Sequence, residues 1–250
     1  MMDLDQTTEA VTGVVRSAPI LTALLVTAAF TALGRWTRGV SFSGAIAGGA
    51  VCFVLYLSAG PGAFAALVSV FILTWIATRL GYPRKRRQGT AEKPDGRTAR
   101  QVLANLAVAA ACTAISALTS EKAAFLLAAS AALAEAAADT VSSELGQIRS
   151  ETARLITTWE KVPAGTDGGI SLAGTLAGVI AAAAVSLVCV WTGLMPFKWL
   201  GVSLTAAIAG MIADSYLGAA LERQGLLNNE SVNFIGTVIA AGMAFFFSRL

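Results

Sequence analysis

The chain has 250 residues, of which 56% are hydrophobic and 13% are charged, about half the charged share of a typical soluble domain. This small share of charged residues cannot cover the core of a soluble protein. The composition therefore excludes a soluble protein and predicts a polytopic membrane protein. Histidine is absent, which excludes histidine metal ligands and a Ser-His-Asp triad. Cys52, Cys112 and Cys189 lie singly in apolar runs, so neither a disulfide framework nor a zinc site is expected.

Eight apolar segments, each long enough to cross a bilayer, follow one another along the chain. They are apolar on all sides, as membrane helices are, whereas the strands of a membrane barrel alternate in polarity. We therefore predict an all-α fold, a polytopic transmembrane helix bundle of about eight spans that forms a single domain over residues 1–250. Gly48, Gly49, Gly174 and Gly178 indicate close helix packing. The predicted spans are residues 17–33, 41–58, 62–78, 102–118, 123–141, 169–190, 199–221 and 232–247.

The net charge of +3 becomes informative when it is mapped onto these spans. Of the 18 Lys and Arg, all but Arg16, Lys122, Lys198 and Arg249 fall on the side of the basic loop at about residues 79–101. The positive-inside rule places that loop in the cytoplasm and predicts an integral, multi-pass protein of a bacterial-type inner membrane. The loop lacks interleaved aromatic residues, so nucleic acid is not expected as a partner. Whether the loop only sets orientation or also holds an anionic substrate stays open.

Ionisable residues within the predicted spans are costly to insert and therefore indicate function. Asp139 lies in an Ala-Asp-Thr motif near the end of the fifth span, with Glu135 and Ser142 on the same helical face. Asp214 lies in an Ala-Asp-Ser motif in the seventh span, and both aspartates are expected near the cytoplasmic face. With no histidine and no usable cysteine, converging carboxylates indicate a hard oxygen-ligand site that suits Mg²⁺. The alternative is that each carboxylate, Glu144 included, is a helix-end group that is solvated or paired with an arginine.

Two polar segments on the same side offer further contacts to phosphate. Residues 165–171 are glycine-rich and are expected to lead directly into the sixth span, so that free amides and the helix dipole would face an anion. Asp167 is alternatively an ordinary helix N-cap. Residues 227–234 carry neutral donors and acceptors, for which capping by Asn229 or Ser231 is the alternative. The candidate residues of the two segments are Thr166, Asp167, Gly168, Gly169, Asn228, Asn229 and Asn233.

Taken in order, these motifs resemble the family of integral membrane proteins, formerly a domain of unknown function, that includes the phytyl-phosphate kinases of plants and cyanobacteria. The resemblance covers most of the chain. It rests on Ser43-Gly44-Ala45, Thr78-Arg79-Leu80-Gly81 with Lys85, the stretch from Gly96 to Asn105, Ala138-Asp139-Thr140 with Ser143-Glu144-Leu145-Gly146, Thr166 to Ser171, Ala213-Asp214-Ser215 with Leu217-Gly218-Ala219, and Asn228-Asn229 with Asn233-Phe234.

The resemblance implies a membrane-embedded kinase that phosphorylates an isoprenoid monophosphate, of the phytyl or geranylgeranyl type, to its diphosphate. It implies CTP or ATP as phosphoryl donor and Mg²⁺ held by Asp139 and Asp214, with Glu144 assisting. The expected partners are the lipid bilayer, the isoprenoid phosphate and the nucleotide, and the pattern is compatible with a homo-oligomer. The phosphates would be held by Arg79, Lys85, Lys93, Arg97, Arg100 and the amides of residues 166–169, with Asn228 and Asn229 nearby, and Asn105 and Asn233 would orient the acceptor.

Two other functions stay open at this stage. A kinase of the free prenyl alcohol would use the same chemistry. A secondary transporter would explain the spans and the repeated Ala-Asp motif, although alternating access places binding residues near the membrane midplane rather than at one face. A nucleotide-dependent thermal shift, measured with and without Mg²⁺, would separate a kinase from a transporter.

Overall fold

A computed structural model describes the backbone of residues 4–149 and 152–250 and the side chains of residues 19–148 and 152–250. The side chains of Arg16 and Arg149, which contribute to the charge bias, lie outside the described residues. As predicted, the fold within the described ranges is all-α. Three short strands, which were not predicted, are the exception. The elements are α1 (Leu4–Trp36), α2 (Phe42–Arg79), α3 (Tyr82–Gln88), α4 (Ala99–Ser116), α5 (Lys122–Arg149), β1 (Thr152–Leu155), β2 (Lys161–Pro163), β3 (Gly169–Ile170), α6 (Leu172–Trp191), α7 (Leu200–Leu217) and α8 (Asn229–Phe247).

Seven helices in the described part of the chain are long and apolar enough to cross a membrane, and α2 is long enough to do so twice. As a straight helix its 38 residues would extend about 57 Å. Instead Trp75 Nε1 and Arg79 Nη2, near its end, donate to the carbonyl of Thr37, which lies just before its start, at 3.3 and 2.7 Å. The helix therefore folds back on itself at Gly60, whose backbone is non-helical (φ 72°, ψ −160°). Its two halves, residues 42–59 and 61–79, bring the membrane segments to the eight that were predicted.

Helix α5 forms the centre of the bundle and packs against α2, α4, α6, α7 and α8. Of its membrane-spanning window 78% is buried, whereas no other span in the described part of the chain exceeds 39%. Its sequence is rich in alanine around the whole circumference, which lets neighbours approach from every side. A Cβ at Gly174 would lie 2.6 Å from the Ser142 carbonyl and one at Gly178 would lie 2.8 Å from that of Ala138, so α6 approaches α5 through glycine. This confirms the predicted packing role of Gly174 and Gly178.

The connection between α5 and α6 differs from the prediction. It contains a three-stranded antiparallel sheet in the order β2-β1-β3, with Arg154 paired to Lys161 and to Ile170. Strands of two to four residues are too short to show an alternating pattern, which is why the sequence did not reveal them. The predicted start of the sixth span at Gly169 is therefore wrong, because that residue belongs to β3 and α6 begins at Leu172.

The connections gather at two opposite ends of the bundle. The α2–α4 loop, the small sheet and the α7–α8 connection meet at one end, which we call the site end. At the other end Gly62 packs against Thr192, and Arg249 pairs with Glu121 at 3.2 Å. This arrangement matches the predicted grouping of loops, while the cytoplasmic location of the site end stays a prediction.

Candidate functional site

A polar cavity of about 260 Å³ opens at the site end between α4, α5, α7, α8 and the loop that precedes β3. Residues that are far apart in the sequence converge on it because α5 and α7 both end there and α4 and α8 both begin there. The structure thus brings together most of the candidate residues. Those lining the cavity are Arg97, Asn105, Asp139, Glu144, Thr166, Asp167, Gly168, Gly169, Asp214, Asn229 and Asn233.

Asp139 and Asp214 lie next to each other on the wall of the polar cavity. Their carboxyl groups lie within hydrogen-bonding contact, one from α5 and one from α7. Two carboxylates this close repel each other unless a proton or a cation lies between them. Asn233, with its amide oriented to satisfy its neighbours, donates to Asp214 Oδ2 at 3.3 Å and accepts from Asn105 Nδ2 at 3.3 Å. The pair of acids is therefore held in place from α8 and α4.

Arg97 supplies the positive charge next to this pair. Its guanidinium attracts the carboxylate of Asp139 and donates to Thr140 Oγ1 at 3.3 Å. The backbone around it is fixed, since the Arg97 amide donates to the Gly39 carbonyl at 3.1 Å and the Ser41 amide donates to the Arg97 carbonyl at 2.9 Å. The following residue starts α4 with a capping box. Arg97 is thereby held between the start of α2 and the start of α4.

Asn105 lies on α4 between Arg97 and Asn233. It is 6% exposed, and its side-chain Oδ1 has no hydrogen-bond partner within the described ranges. Its Nδ2 also donates to the Gln101 carbonyl at 2.9 Å. A buried acceptor without a donor is costly, so this oxygen is suited to receive a hydrogen bond from a bound molecule.

The glycine-rich loop lines the cavity as a turn rather than as a helix start. The Gly169 amide donates to the Thr166 carbonyl at 2.8 Å, and Gly168, at φ 71°, packs so closely on Ala219 that a Cβ would overlap it. The amide of Gly174 at the start of α6 is already bonded to Ser171 Oγ at 3.1 Å. Residues 165–171 lead directly into α6, as predicted, but β3 lies between the glycine turn and the helix start, so the expectation that the amides of this turn form the helix N-terminus is wrong. So is the alternative of Asp167 as a helix cap, because Ser171 fills that position.

Lys85 and Glu144 pair with each other. The Lys85 ammonium is fully buried and donates to the carbonyls of Ala77 and Thr78 and to Glu144 Oε2, which satisfies all three of its hydrogens. Glu144 Oε1 accepts from Thr78 Oγ1 at 3.0 Å. This geometry assigns Lys85 to the end of α2 rather than to phosphate. It also occupies both carboxylate oxygens of Glu144, and no three acidic or cysteine side chains of residues 19–148 and 152–250 are grouped to hold a metal ion.

The remaining candidate residues lie outside the polar cavity. Arg79 and Lys93 line a neighbouring cavity instead. Arg100 is exposed in the first turn of α4 and lines neither cavity. Asn228 is the N-cap of α8, where its Oδ1 accepts from the Ser231 amide at 2.9 Å, so capping falls to Asn228 rather than to Asn229 or Ser231.

The neighbouring cavity measures about 240 Å³ and lies between the two halves of α2, α4 and α5. Its interior is apolar, whereas its opening at the site end is basic. It shares one wall with the polar cavity, so the two spaces are adjacent. The shared residues are Glu92, Arg97, Gln101, Asn105 and Thr140.

Sequence reasoning left several of these residues out of the site. Arg38 and Glu92 carry no motif of their own, and only the folded loop brings them to the cavity. Glu135 had a usable signal, since it is an ionisable residue within a span, one turn before Asp139. It is 1% exposed, and neither carboxyl oxygen has a partner among the described residues. Gly210 and Gly236 make room for it: a Cβ there would lie 2.7 Å from Glu135 Cγ and 2.6 Å from its Oε1.

Fold and site together define a polytopic, all-α membrane protein with a carboxylate pair at one end of its bundle. The chain belongs to the integral membrane protein family DUF92, whose model matches residues 25–241. This match confirms the family that the motifs resemble.

Similar proteins come from archaea, cyanobacteria and plants. The chain is 36% identical to an uncharacterized membrane protein of Methanocaldococcus jannaschii, over 88% of this chain and 90% of the relative. It is 31% identical to an uncharacterized membrane protein of Synechocystis, over 76% of each chain. It is also 31% identical to the chloroplastic protein VTE6 of Arabidopsis thaliana, over 81% of this chain and 64% of that protein. No solved structure matches the chain.

Proposed function

We propose that this protein is a membrane-embedded kinase that transfers the terminal phosphoryl group of a nucleoside triphosphate to an isoprenoid monophosphate. An oxygen of the acceptor phosphate attacks the γ-phosphorus, the bond from the γ-phosphorus to the β,γ-bridging oxygen breaks, and a nucleoside diphosphate leaves. The products are the isoprenoid diphosphate and the nucleoside diphosphate. The isoprenoid acceptor follows from the resemblance of the ordered motifs to the phytyl-phosphate kinase family.

The observation that carries the proposal is the polar cavity with two neighbouring carboxyl groups and an arginine on its wall. Phosphoryl transfer needs positioning and neutralisation of spread negative charge, and it needs no covalent nucleophile. Asp139 and Asp214 provide groups for positioning. Arg97 provides a guanidinium, which neutralises negative charge, within reach of the same space. The acceptor phosphate is already an anion, so a general base is not required.

The aspartate pair fits Mg²⁺, which usually takes one or two carboxylates and completes its shell with water and substrate phosphates. Bound by Asp139 and Asp214, Mg²⁺ would neutralise charge on the triphosphate oxygens. The protein's own groups do the rest: Arg97 binds phosphate oxygens, Asn105 Oδ1 accepts a hydrogen bond from a bound group, and Asn233 holds Asp214 in position.

The test is turnover by purified protein with Mg²⁺, each of four nucleoside triphosphates, and matched prenyl alcohols and prenyl monophosphates, read by mass spectrometry. We expect diphosphate product from the monophosphate. If product forms only from the alcohol, the protein is a kinase of the free prenyl alcohol. The absence of any nucleotide-dependent product would overturn the proposal.

Substitution of the aspartates locates the reaction. We expect Asp139→Asn and Asp214→Asn each to lower turnover at least ~100-fold, the order seen when an electrostatic contact to a transition state is lost. Glu121→Gln is the matched control, because Glu121 lies at the opposite end of α5 and pairs there with Arg249. Near-normal turnover by a folded Asp139→Asn protein at saturating Mg²⁺ would remove that residue from the site.

A further inference from the structure

We infer that the cavity between the two halves of α2, α4 and α5 binds the hydrocarbon chain of a single-chain alkyl or prenyl monophosphate, with the phosphate at its basic opening. The inference rests on the proposed function for the fate of that phosphate. Binding itself follows from the shape and charge of the cavity.

The opening of the cavity carries unpaired positive charge. Arg38, Arg79, Lys93 and Arg97 line it, and among the described residues the first three form no ion pair with a carboxylate. Glu92 is the acidic residue that lines the opening, and its carboxylate oxygens are already bonded to the amide of the next residue and to the Gln101 side chain. A monophosphate headgroup would meet several cations at this place.

Arg38 has the most constrained backbone at this opening. Its φ is 52°, a left-handed conformation that a non-glycine residue adopts at a cost. The strain is maintained because Gly96 packs directly on its carbonyl, where a Cβ would lie 2.7 Å from the Arg38 oxygen. This contact lies next to the hydrogen bonds with Gly39 and Ser41 that fix the backbone of Arg97. Non-covalent contacts between residues 38–41 and 96–97 thereby hold the backbones of two arginines at one opening.

The interior of the cavity suits a hydrocarbon chain. Below the opening the cavity is lined by Phe30, Leu67, Val70, Phe71 and Leu106. Gly48 also lines it. An apolar cavity of ~150 Å³ holds one benzene molecule, so by proportion this space holds roughly ten carbon atoms. The part of the chain next to the phosphate would lie inside, and the remainder of a longer chain would extend beyond it.

The shared wall supports the same orientation. A phosphate at the opening of the apolar cavity would lie next to Arg97, which also lines the polar cavity with the aspartate pair. The acceptor and the nucleotide would therefore approach each other from the two sides of this wall. An amphiphile inserted in the opposite direction would place its headgroup in the apolar interior, where no charge is available to it.

Trp75 lines this cavity and reports its occupancy. The probe is dodecyl phosphate brominated at its sixth carbon, added to detergent-solubilised protein. The signal is the quenching of tryptophan fluorescence that the wild-type protein shows and the Trp75→Phe variant does not. We expect saturable quenching that Gly48→Leu weakens at least tenfold. Gly48 has room for an added side chain, since its Cβ would lie 4.0 Å from Val102, and a leucine would fill the cavity. Gly242→Leu is the matched control, because nothing lies within 4 Å of a Cβ there.

Two competitors establish the chemistry of the ligand. The same brominated chain with a trimethylammonium headgroup should bind at least tenfold more weakly, and phosphatidic acid, with two chains, should not compete. Equal binding of the ammonium compound, full competition by phosphatidic acid, or quenching that Gly48→Leu leaves unchanged would overturn the inference. Val70→Phe narrows the same space from the other half of α2 without adding a tryptophan, and we expect the same loss from this second variant.

The kinase assay distinguishes the two proposals. Saturable, phosphate-selective quenching without any nucleotide-dependent product would retain the binding site and reject the kinase. Nucleotide-dependent diphosphate formation with an acceptor KM that Gly48→Leu and Val70→Phe leave unchanged would retain the kinase and reject this cavity.

Discussion

Arg97 is the residue on which the two cavities depend, because it lines both and faces the aspartate pair. Its backbone is held by hydrogen bonds to Gly39 and Ser41, so its side chain starts from a fixed position. A guanidinium binds phosphate through two parallel hydrogen bonds, which the ammonium of lysine cannot reproduce. The geometry therefore gives a position-specific role to one member of a loop that is basic throughout.

We expect Arg97→Lys to lower kcat/KM for the nucleotide or the prenyl phosphate about tenfold or more, roughly 1.4 kcal/mol. Arg86→Ala should be close to neutral, since Arg86 is exposed on α3 and lines neither cavity. The measurement is kcat/KM for both substrates in both variants. Equal and small effects would leave the loop with only its role in membrane orientation.

Lys85 tests a structural role against a phosphate-binding one. Lys85→Met would leave Glu144 without its ion-pair partner and two carbonyls of α2 without their donor. Removing one partner of a buried pair costs about 3–5 kcal/mol, so we expect a clear loss of thermal stability in detergent. The nucleotide KM of the folded protein should stay within about twofold.

The double variant Lys85→Met with Glu144→Gln is the control for this assignment, because it removes the stranded charge as well. We expect it to recover part of the lost stability. If the Lys85→Met protein instead unfolds at the wild-type temperature and its nucleotide KM rises about tenfold, Lys85 is a phosphate ligand.

At the scale of helices, glycine decides where α7 approaches its neighbours. A Cβ at Gly210 would lie 2.7 Å from the Gly236 carbonyl of α8 and 2.7 Å from Glu135 Cγ of α5. Because a backbone carbonyl cannot move aside, Gly210→Ala should destabilise by about 1–3 kcal/mol. Gly201→Ala, on the same helix with nothing within 4 Å, should be neutral or slightly stabilising. Thermal unfolding in one detergent measures both, and equal midpoints would contradict the close approach.

Helices were the predictable part of this fold, and short backbone elements were not. Apolar runs of membrane length predict the ends of α4, α6 and α8 to within three residues, and both aspartates stood out because charge within a span is costly. The β1–β3 sheet, by contrast, depends on pairings between segments that show no pattern of their own. The partners of Lys85 were also invisible, because a lysine in a basic loop does not reveal that it folds back under the end of α2.

For the molecule as a whole, the two ends of the bundle must face opposite sides of the membrane. We expect a cysteine at Gln88, in the basic loop, to be labelled from the cytoplasm and one at Lys198, before α7, to be labelled from the other side. Both positions are exposed. The experiment requires a background without Cys52, Cys112 and Cys189. Labelling of both cysteines from the same side would contradict the eight-segment arrangement.

The tight reversal of α2 at Gly60 constrains how the chain enters a bilayer during synthesis. Residues 39–78 contain no charged residue, and the turn offers no hydrophilic loop that could anchor one half while the other waits. The two halves should therefore insert together, as a helical hairpin, in one event. Both contribute walls to the apolar cavity, so one part of that cavity is built in this step and another is added when α4 and α5 follow.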